Sequence, residues 1–325
     1  MPAAGVVLMS LCVLVSCGCR TQTSYRVAVI PRTTGRILWE SLHTGVEAAG
    51  YTLGINIYWN APTRQDDVTG QVALIDRLVA RGGFQGMVIA PDQSLALITP
   101  VRRAVSRGIP VVILGSPLRI PPGGRLFYVL NDEEEAGRIA AGRLAALLHG
   151  TGTVAILGIN PDIAGTLLRA RSFEKHLAQM CPDVRVIDKR VGSFNVSHEQ
   201  QAAEEALKAA PHLDAIISLS ASTTQGVLST IGSNPEYSAV KVIGFDPDPV
   251  EFSSANLDSL ILENMPQMGA RAIDLINDER QGKPVPSQIE VEPMLVTREN
   301  VSSPQVRQWT STDFRPGPHS NWGRS

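Results

Sequence analysis

Little in this chain points to nucleic acid, a metal or a disulfide framework. Its 29 Lys and Arg nearly match its 31 Asp and Glu, for a net charge of −2, and no basic cluster stands out. A nucleic-acid surface needs such a cluster, so that class of main partner is excluded. Aromatic residues make up only 5%. Ala, Val, Ile, Leu and Gly dominate, as in parallel α/β proteins with buried strands. There are four cysteines. Cys12 and Cys17 fall in an N-terminal leader, Cys19 just after it, and Cys181 behind a helix. No structural disulfide and no metal site are expected. Cys-x-x-Cys and His-x-x-x-His spacings are both missing, as is a Gly-x-Gly-x-x-Gly strand-to-helix turn for a dinucleotide. The six histidines are scattered, and none pairs with a nucleophile and an acid. No enzyme mechanism can be assembled, and no cofactor is expected.

The N-terminus reads as targeting rather than fold. Residues 3–16 are almost wholly apolar, too short to span a bilayer, and end in Leu14-Val15-Ser16-Cys17. Small residues before a Cys, after an apolar run, resemble the bacterial lipobox, which is cut before the Cys and lipidated there. Residues 1–17 are read as that signal and 18–24 as a tether, although MPAAGVV lacks the usual basic residue. A plain secretory signal cleaved elsewhere is the alternative. Either way the protein is exported, periplasmic or at the cell surface. A multiply acylated Cys17 would hold it on a membrane, at about 0.8 kcal/mol per buried methylene.

The stretch Leu126–Leu148 organises the rest. It reads as a strand (Phe127–Leu130), a polar corner (Asn131, Asp132) and a long helix with Asp132 as N-cap and Glu135 completing a capping box. Glu133, Glu134 and Glu135 are read as first-turn acids favoured by the helix dipole. Before this stretch, strands at Tyr25–Ile30, Leu53–Trp59, Gly86–Ala90 and Pro110–Leu114 alternate with helices at Ile37–Ala49 (Gly50 its stop), Asp67–Ala80 and Leu95–Arg107. After it the rhythm repeats, with strands at Thr153–Leu157, Val184–Val191, Ala215–Leu219, Val240–Phe245 and Leu257–Leu262. Helices fall at Thr166–Gln179, Ser197–Ala209, Thr224–Ile231 and Gln267–Asp278, and Ile289–Val296 is a final extended piece. Such alternation means right-handed βαβ units, so two similar α/β, Rossmann-like lobes with parallel sheets are expected. Residues from Pro304 to Ser325 read as a loose tail.

Ligands of such sheets sit outside the carboxyl ends of the strands. The polar residues there are Thr33, Thr34 and Arg36, then Ser116, Asn160, Phe194 (a ring among them), Ser220, Asp246 and Asn264. Hydroxyls, amides, an Arg and an Asp suit a neutral polyol, because planar forks grip vicinal hydroxyls. Trp39 offers an apolar face for the C–H side of a sugar ring, or simply packs in the core.

The joint order of several short motifs carries a resemblance over residues 25–305. They are VAVIP with Trp39 and Gly45 downstream, GMVIAP, GIPVVIL, Asp132 followed by AGRIAA, Arg169-x-x-x-Phe173, GFDPDP, and Asn264-Met265-Pro266-Gln267-Met268-Gly269. In this the chain resembles the ribose-binding-protein-like solute-binding proteins of sugar ABC transporters, the type I periplasmic binding proteins. The resemblance implies two lobes joined by three crossings, near Asn131, Asn264 and Met294. It assigns 25–131 plus 265–293 to the first lobe and 132–264 plus 294–305 to the second, with 306–325 as a tail. It implies ligand contacts at Arg36, Trp39, Ser116, Asp132, Arg169, Phe194, Ser220, Asp246 and Asn264. Arg36 departs from the family's usual Asn. Gly115-Ser116 replaces a common Asp-Arg pair, which leaves the identity of the sugar open. Asp132 and Asp246 keep a second reading, as helix cap and turn residue. Arg171, two residues past Arg169, is expected in solvent.

What the resemblance implies is a monomeric, lipid-tethered receptor that closes on a sugar and delivers it to a membrane permease. A ligand sensor docking on a chemoreceptor or kinase is the alternative reading, and an exported enzyme a lesser one. A transcriptional regulator is disfavoured by the export signal and the missing helix-turn-helix.

Overall fold

The computed structural model describes residues 25–246, 248 and 250–314; the leader with Cys17 and the end of the tail lie outside the described residues. In chain order the elements are β1 (Arg26–Ile30), α1 (Ile37–Leu53), β2 (Asn56–Trp59), α2 (Val68–Arg81), β3 (Gly86–Ile89), α3 (Ile98–Ser106), β4 (Val111–Gly115) and β5 (Leu126–Asn131). Then come α4 (Glu133–Leu147), β6 (Gly152–Ile159), α5 (Ala164–Met180), β7 (Val184–Val191), α6 (Val196–Ala209), β8 (Ala215–Ser218), α7 (Ala221–Ser233), β9 (Lys241–Phe245) and β10 (Leu257–Leu262). The chain ends through α8 (Met265–Arg280), β11 (Gln288–Val291), β12 (Met294–Thr297) and α9 (Pro304–Trp309).

The strands form two six-stranded sheets, ordered β11-β5-β4-β3-β1-β2 and β12-β10-β9-β8-β6-β7. Every pairing is parallel except β10 with β12. The chain passes between the sheets three times: after β5, between β10 and α8, and between β11 and β12. Central strands are apolar on both faces because helices cover both. In the first lobe Val27, Val29, Val88 and Val112 pack under α1 and α8, while Ala28, Ile30, Met87 and Ile113 pack under α2 and α3. The second lobe repeats this, with α4 and α5 over one face and α6 and α7 over the other.

Two helix pairs approach through glycine. A Cβ on Gly45 of α1 would lie 1.9 Å from the Pro266 carbonyl oxygen, and one on Gly269 of α8 would lie 2.6 Å from that of Leu42. Gly137 of α4 meets the backbone of Arg169 and Phe173 in the same way. These contacts seat α8, which returns from the second lobe, on the first.

Three sequence expectations change. Gly50 does not end α1. It is buried against Ile57, and the helix runs on to Leu53, where Gly54 takes the left-handed conformation (φ 67°) that an L side chain resists. The extended piece at 289–296 is two strands, one in each sheet, broken at Glu292-Pro293. The tail begins with a helix rather than a loose segment. Ser303 caps α9, Pro304 opens it, and Val306 is buried against the second lobe. Arg171 is exposed, and Cys181 is a buried free thiol. Among the described residues no helix is long and apolar enough to cross a membrane.

The α1–α8 seam gives a test. Gly45→Ala forces a methyl into backbone, and overpacking of this kind costs about 1–3 kcal/mol. A denaturant melt should show that loss, and an unchanged midpoint would mean the seam is not close-packed.

Candidate functional site

The carboxyl ends of both sheets open on one narrow cleft between the lobes. From the first lobe it receives Arg32, Arg36 and Trp39 around the start of α1, and Ser116 after β4; Asn131 lies at the first crossing. From the second come Glu133, Thr166, Arg169, Phe194, Ser220, Ser222, Asp246 and Glu263.

Arg169 is the centre of the second-lobe wall. It projects from α5, buried at 2% exposure, with its guanidinium over the Phe245 ring at 4.4 Å. Its Nε and Nη2 donate to the two carboxylate oxygens of Glu133, at 2.6 and 3.0 Å. Its Nη1 donates to Asp246 Oδ2 at 2.7 Å and to the Leu219 carbonyl at 3.0 Å, and Nη2 also donates to Glu263 Oε1 at 2.6 Å. All five N–H groups are thereby used inside the protein. Burial alone would lower the Arg169 pKa, but the carboxylates of Asp246, Glu133 and Glu263 outweigh it and hold the cation firmly charged. Burial pushes the Glu133 carboxyl up, and Glu263 rises well above the usual range through burial and the neighbouring Asp246.

The unpaired hydrogen-bonding groups are as informative. Asp246 sits at φ 49° just after β9, a conformation Asp tolerates. Its Oδ1 is buried without a partner, and so is Asn131 Oδ1. On the opposite wall Arg32 donates only through Nε, to the Pro91 carbonyl at 2.9 Å. Among the described residues its two Nη groups have no hydrogen-bond partner. The guanidinium lies 5.9 Å from the Trp39 ring centre and 5.5 Å from that of Phe194. Burial lowers the Arg32 pKa, opposed by Asp92 and the second-lobe acids. Behind it, burial lifts the Asp92 carboxyl to about 7, against the pull of Arg32.

The lobes touch directly around this cleft. Arg36 Nη2 donates to Ser222 Oγ at 2.7 Å, and Nη1 lies 3.6 Å from Asp248. Gly165 N donates to Ser116 Oγ at 3.0 Å, Phe194 N to Asp66 Oδ2 at 3.3 Å, and Ser94 Oγ to the Asp162 carbonyl at 2.9 Å. This is a closed arrangement.

Of the residues expected at the site, Arg36, Trp39, Ser116, Arg169, Phe194, Ser220 and Asp246 line the cleft. Trp39 also belongs to the first-lobe core. Two do not line it. Asp132 caps α4, accepting from Glu135 N at 2.8 Å, and Asn264 caps α8, accepting from Gln267 N at 3.2 Å. Their neighbours Glu133 and Glu263 reach the cleft instead. Glu133 sits in the first turn of α4, as the sequence suggests, but it is buried and pairs with Arg169. Arg32 was also missed, although it follows β1 by two residues and satisfies the strand-end rule.

The periplasmic binding protein domain family model matches residues 27–284, and the chain belongs to that family. A search of curated proteins finds it similar to a D-allose-binding periplasmic protein of Escherichia coli, 23% identical over 80% of this chain and 86% of that one. Among solved structures it is similar to an ABC transporter solute-binding protein from Agrobacterium vitis bound with α-D-tagatopyranose. That match has a TM-score of 0.81 at 22% identity and covers 88% of this chain and 98% of the other. A partial match, 28% identical over 41% of this chain and 47% of the other, is to an NAD kinase of Oleidesulfovibrio alaskensis.

Removing the Arg169 charge should strand three buried acids. Arg169→Met is expected to cost about 3–5 kcal/mol at pH 7. The loss should shrink toward pH 5, because carboxyls whose pKa is raised in the fold bind protons there and the buried negative charge disappears. Equal losses in denaturant melts at both pH values would contradict this account of the wall.

Proposed function

We propose that this chain is an exported, lipid-anchored substrate-binding protein that captures a sugar between its lobes and delivers it to an ABC transporter permease. The observation that carries the reading is the pairing of unused groups in the cleft. Arg32 offers N–H donors from one lobe. Asp246 Oδ1 offers an acceptor from the other lobe and Asn131 Oδ1 a second at the first crossing, and the rings of Trp39 and Phe194 lie alongside. A hydroxyl both donates and accepts, so a polyol ring can satisfy both sets at once. Its C–H face fits against an aromatic ring. The sugars named for the two relatives support that class of ligand.

Binding would work by closure. The ligand bridges the walls and favours the closed state by contacts it cannot make when the lobes are apart. Arg36 with Ser222, and Ser116 with Gly165, would close around it. The Leu14-Val15-Ser16-Cys17 segment supports export and anchoring at Cys17, and a permease in the same membrane is the partner the family implies. The cleft holds recognition groups rather than a nucleophile with its base, which supports a binding role over an enzymatic one.

A thermal-shift panel of pentoses, hexoses, inositols and disaccharides on the mature chain tests this. A sugar at a hundred times its Kd should add about 2.7 kcal/mol, a shift of roughly a few degrees. Phe194→Ala should weaken that sugar about tenfold, equal to about 1.4 kcal/mol, while keeping the fold. A flat panel would overturn the sugar reading.

A further inference from the structure

The buried face of α2 carries Gln71, Leu74, Ile75, Leu78 and Val79. The last four are apolar and follow helical spacing. Gln71 continues the same stripe and is fully buried, at 0% exposure, where a Leu would pack. A buried amide is costly unless it is hydrogen-bonded, so its partners have to account for its place there.

All of those partners are backbone groups at the carboxyl end of the first-lobe sheet. β1 and β3 lie side by side, and the chain meets a proline after each, Pro31 and Pro91. The ladder between them closes with Ala90 N donating to the Ile30 carbonyl at 3.0 Å. Beyond that bond, among the described residues, no backbone N–H donates to the Pro31 or Ala90 carbonyl. Gln71 Nε2 donates to both, at 3.3 and 2.8 Å, and Gln71 Oε1 accepts from Asp92 N at 3.0 Å. One side chain thus ties the loop after β1 to the loop after β3.

Arg32 hangs on the same two loops. It follows Pro31 directly, and its Nε donates to the Pro91 carbonyl at 2.9 Å. Gln71 therefore bonds to the residue before Arg32 and to both neighbours of the residue that accepts from it. A shift of either loop breaks the bond that holds the guanidinium beside Trp39 and Phe194, with its two Nη groups free. Gln71 itself does not line the cleft.

We propose that Gln71 is a positioning residue for the cleft, fixing the Arg32 guanidinium in place without touching a ligand. The consequence for sugar affinity rests on the sugar-binding reading; the placing of Arg32 does not.

Gln71→Met keeps the length of the side chain and removes its hydrogen bonds. The first readout needs no ligand. The Nε–H proton of Arg32 gives an NMR signal that Arg32→Lys assigns, and its bond to Pro91 should slow its exchange with water in the mature chain. In Gln71→Met that signal should exchange as fast as those of surface arginines. Ile75→Val thins the same helix face and leaves Gln71 in place, so it should lower the melting temperature and keep the signal. If Gln71→Met fails to fold, Gln71→Glu replaces it, since an ionised carboxylate still accepts from Asp92 N but has no donor for either carbonyl. An Arg32 signal as slow in the Gln71 variant as in the wild type overturns the proposal. So does a signal lost equally in Ile75→Val.

Affinity for the strongest-binding sugar of the thermal-shift panel supplies the second readout. Gln71→Met should weaken it by about tenfold, on the order of one hydrogen bond to a charged group. In an Arg32→Met background the same substitution should change affinity by no more than about twofold, because Gln71 then has no guanidinium to place. Equal losses in both backgrounds overturn the route through Arg32. A panel without any binder overturns the sugar reading, and the Arg32 signal still decides the placing.

Discussion

The site hangs on one buried guanidinium. Arg169 binds acids from three separate segments, and two of these flank the crossings between the lobes. Glu133 lies two residues past the end of β5, where the chain first leaves the first lobe. Glu263 lies two residues before α8, where it returns. The contact that builds the binding wall therefore also fixes two of the three hinge segments. Because every N–H of Arg169 is used within the protein, its part in the wall is to position those carboxylates. A buried ion network of this kind is costly to break and does little for net stability. Its value lies in the geometry it holds.

The two walls differ in sign. The first lobe presents Arg32 and Arg36, while the second presents three acids gathered on Arg169. Arg36 reaches across to Ser222 and Asp248. Arg32 stays apart, stacked near two rings that come from different lobes. The attraction between the walls favours closure, and Arg32 and Asp246 line the cleft that remains between them. Desolvation strengthens each such contact once the lobes meet.

Much of this was legible in the sequence. Apolar runs and their spacing marked the strands and helices, since fully buried parallel strands leave a strong pattern. The strand-end rule led to Ser116, Phe194, Ser220 and Asp246. What escaped it has physical reasons. Gly50 looked like a stop because a glycine that admits a neighbouring strand is written the same way as one that ends a helix. Asp132 is the helix cap that its sequence position also suggested, whereas Asn264, read only as a ligand group, spends its side chain capping α8. Glu133 looked like a dipole-favoured acid because nothing local shows that Arg169, 36 residues on, turns back to meet it. The spacing of charges across the fold is tertiary information. Arg169, the one charged residue on the buried face of α5, was the local hint that buried acids had to exist.

The three crossings between the lobes are all short: one residue between β5 and α4, two between β10 and α8, and two between β11 and β12. Three short straps side by side behave like the knuckles of a door. They allow bending about one line and resist sliding or twisting, since either would stretch one strap while slackening another. The cleft therefore has one mouth and one path between open and shut, and a single distance across that mouth describes the state of the whole molecule.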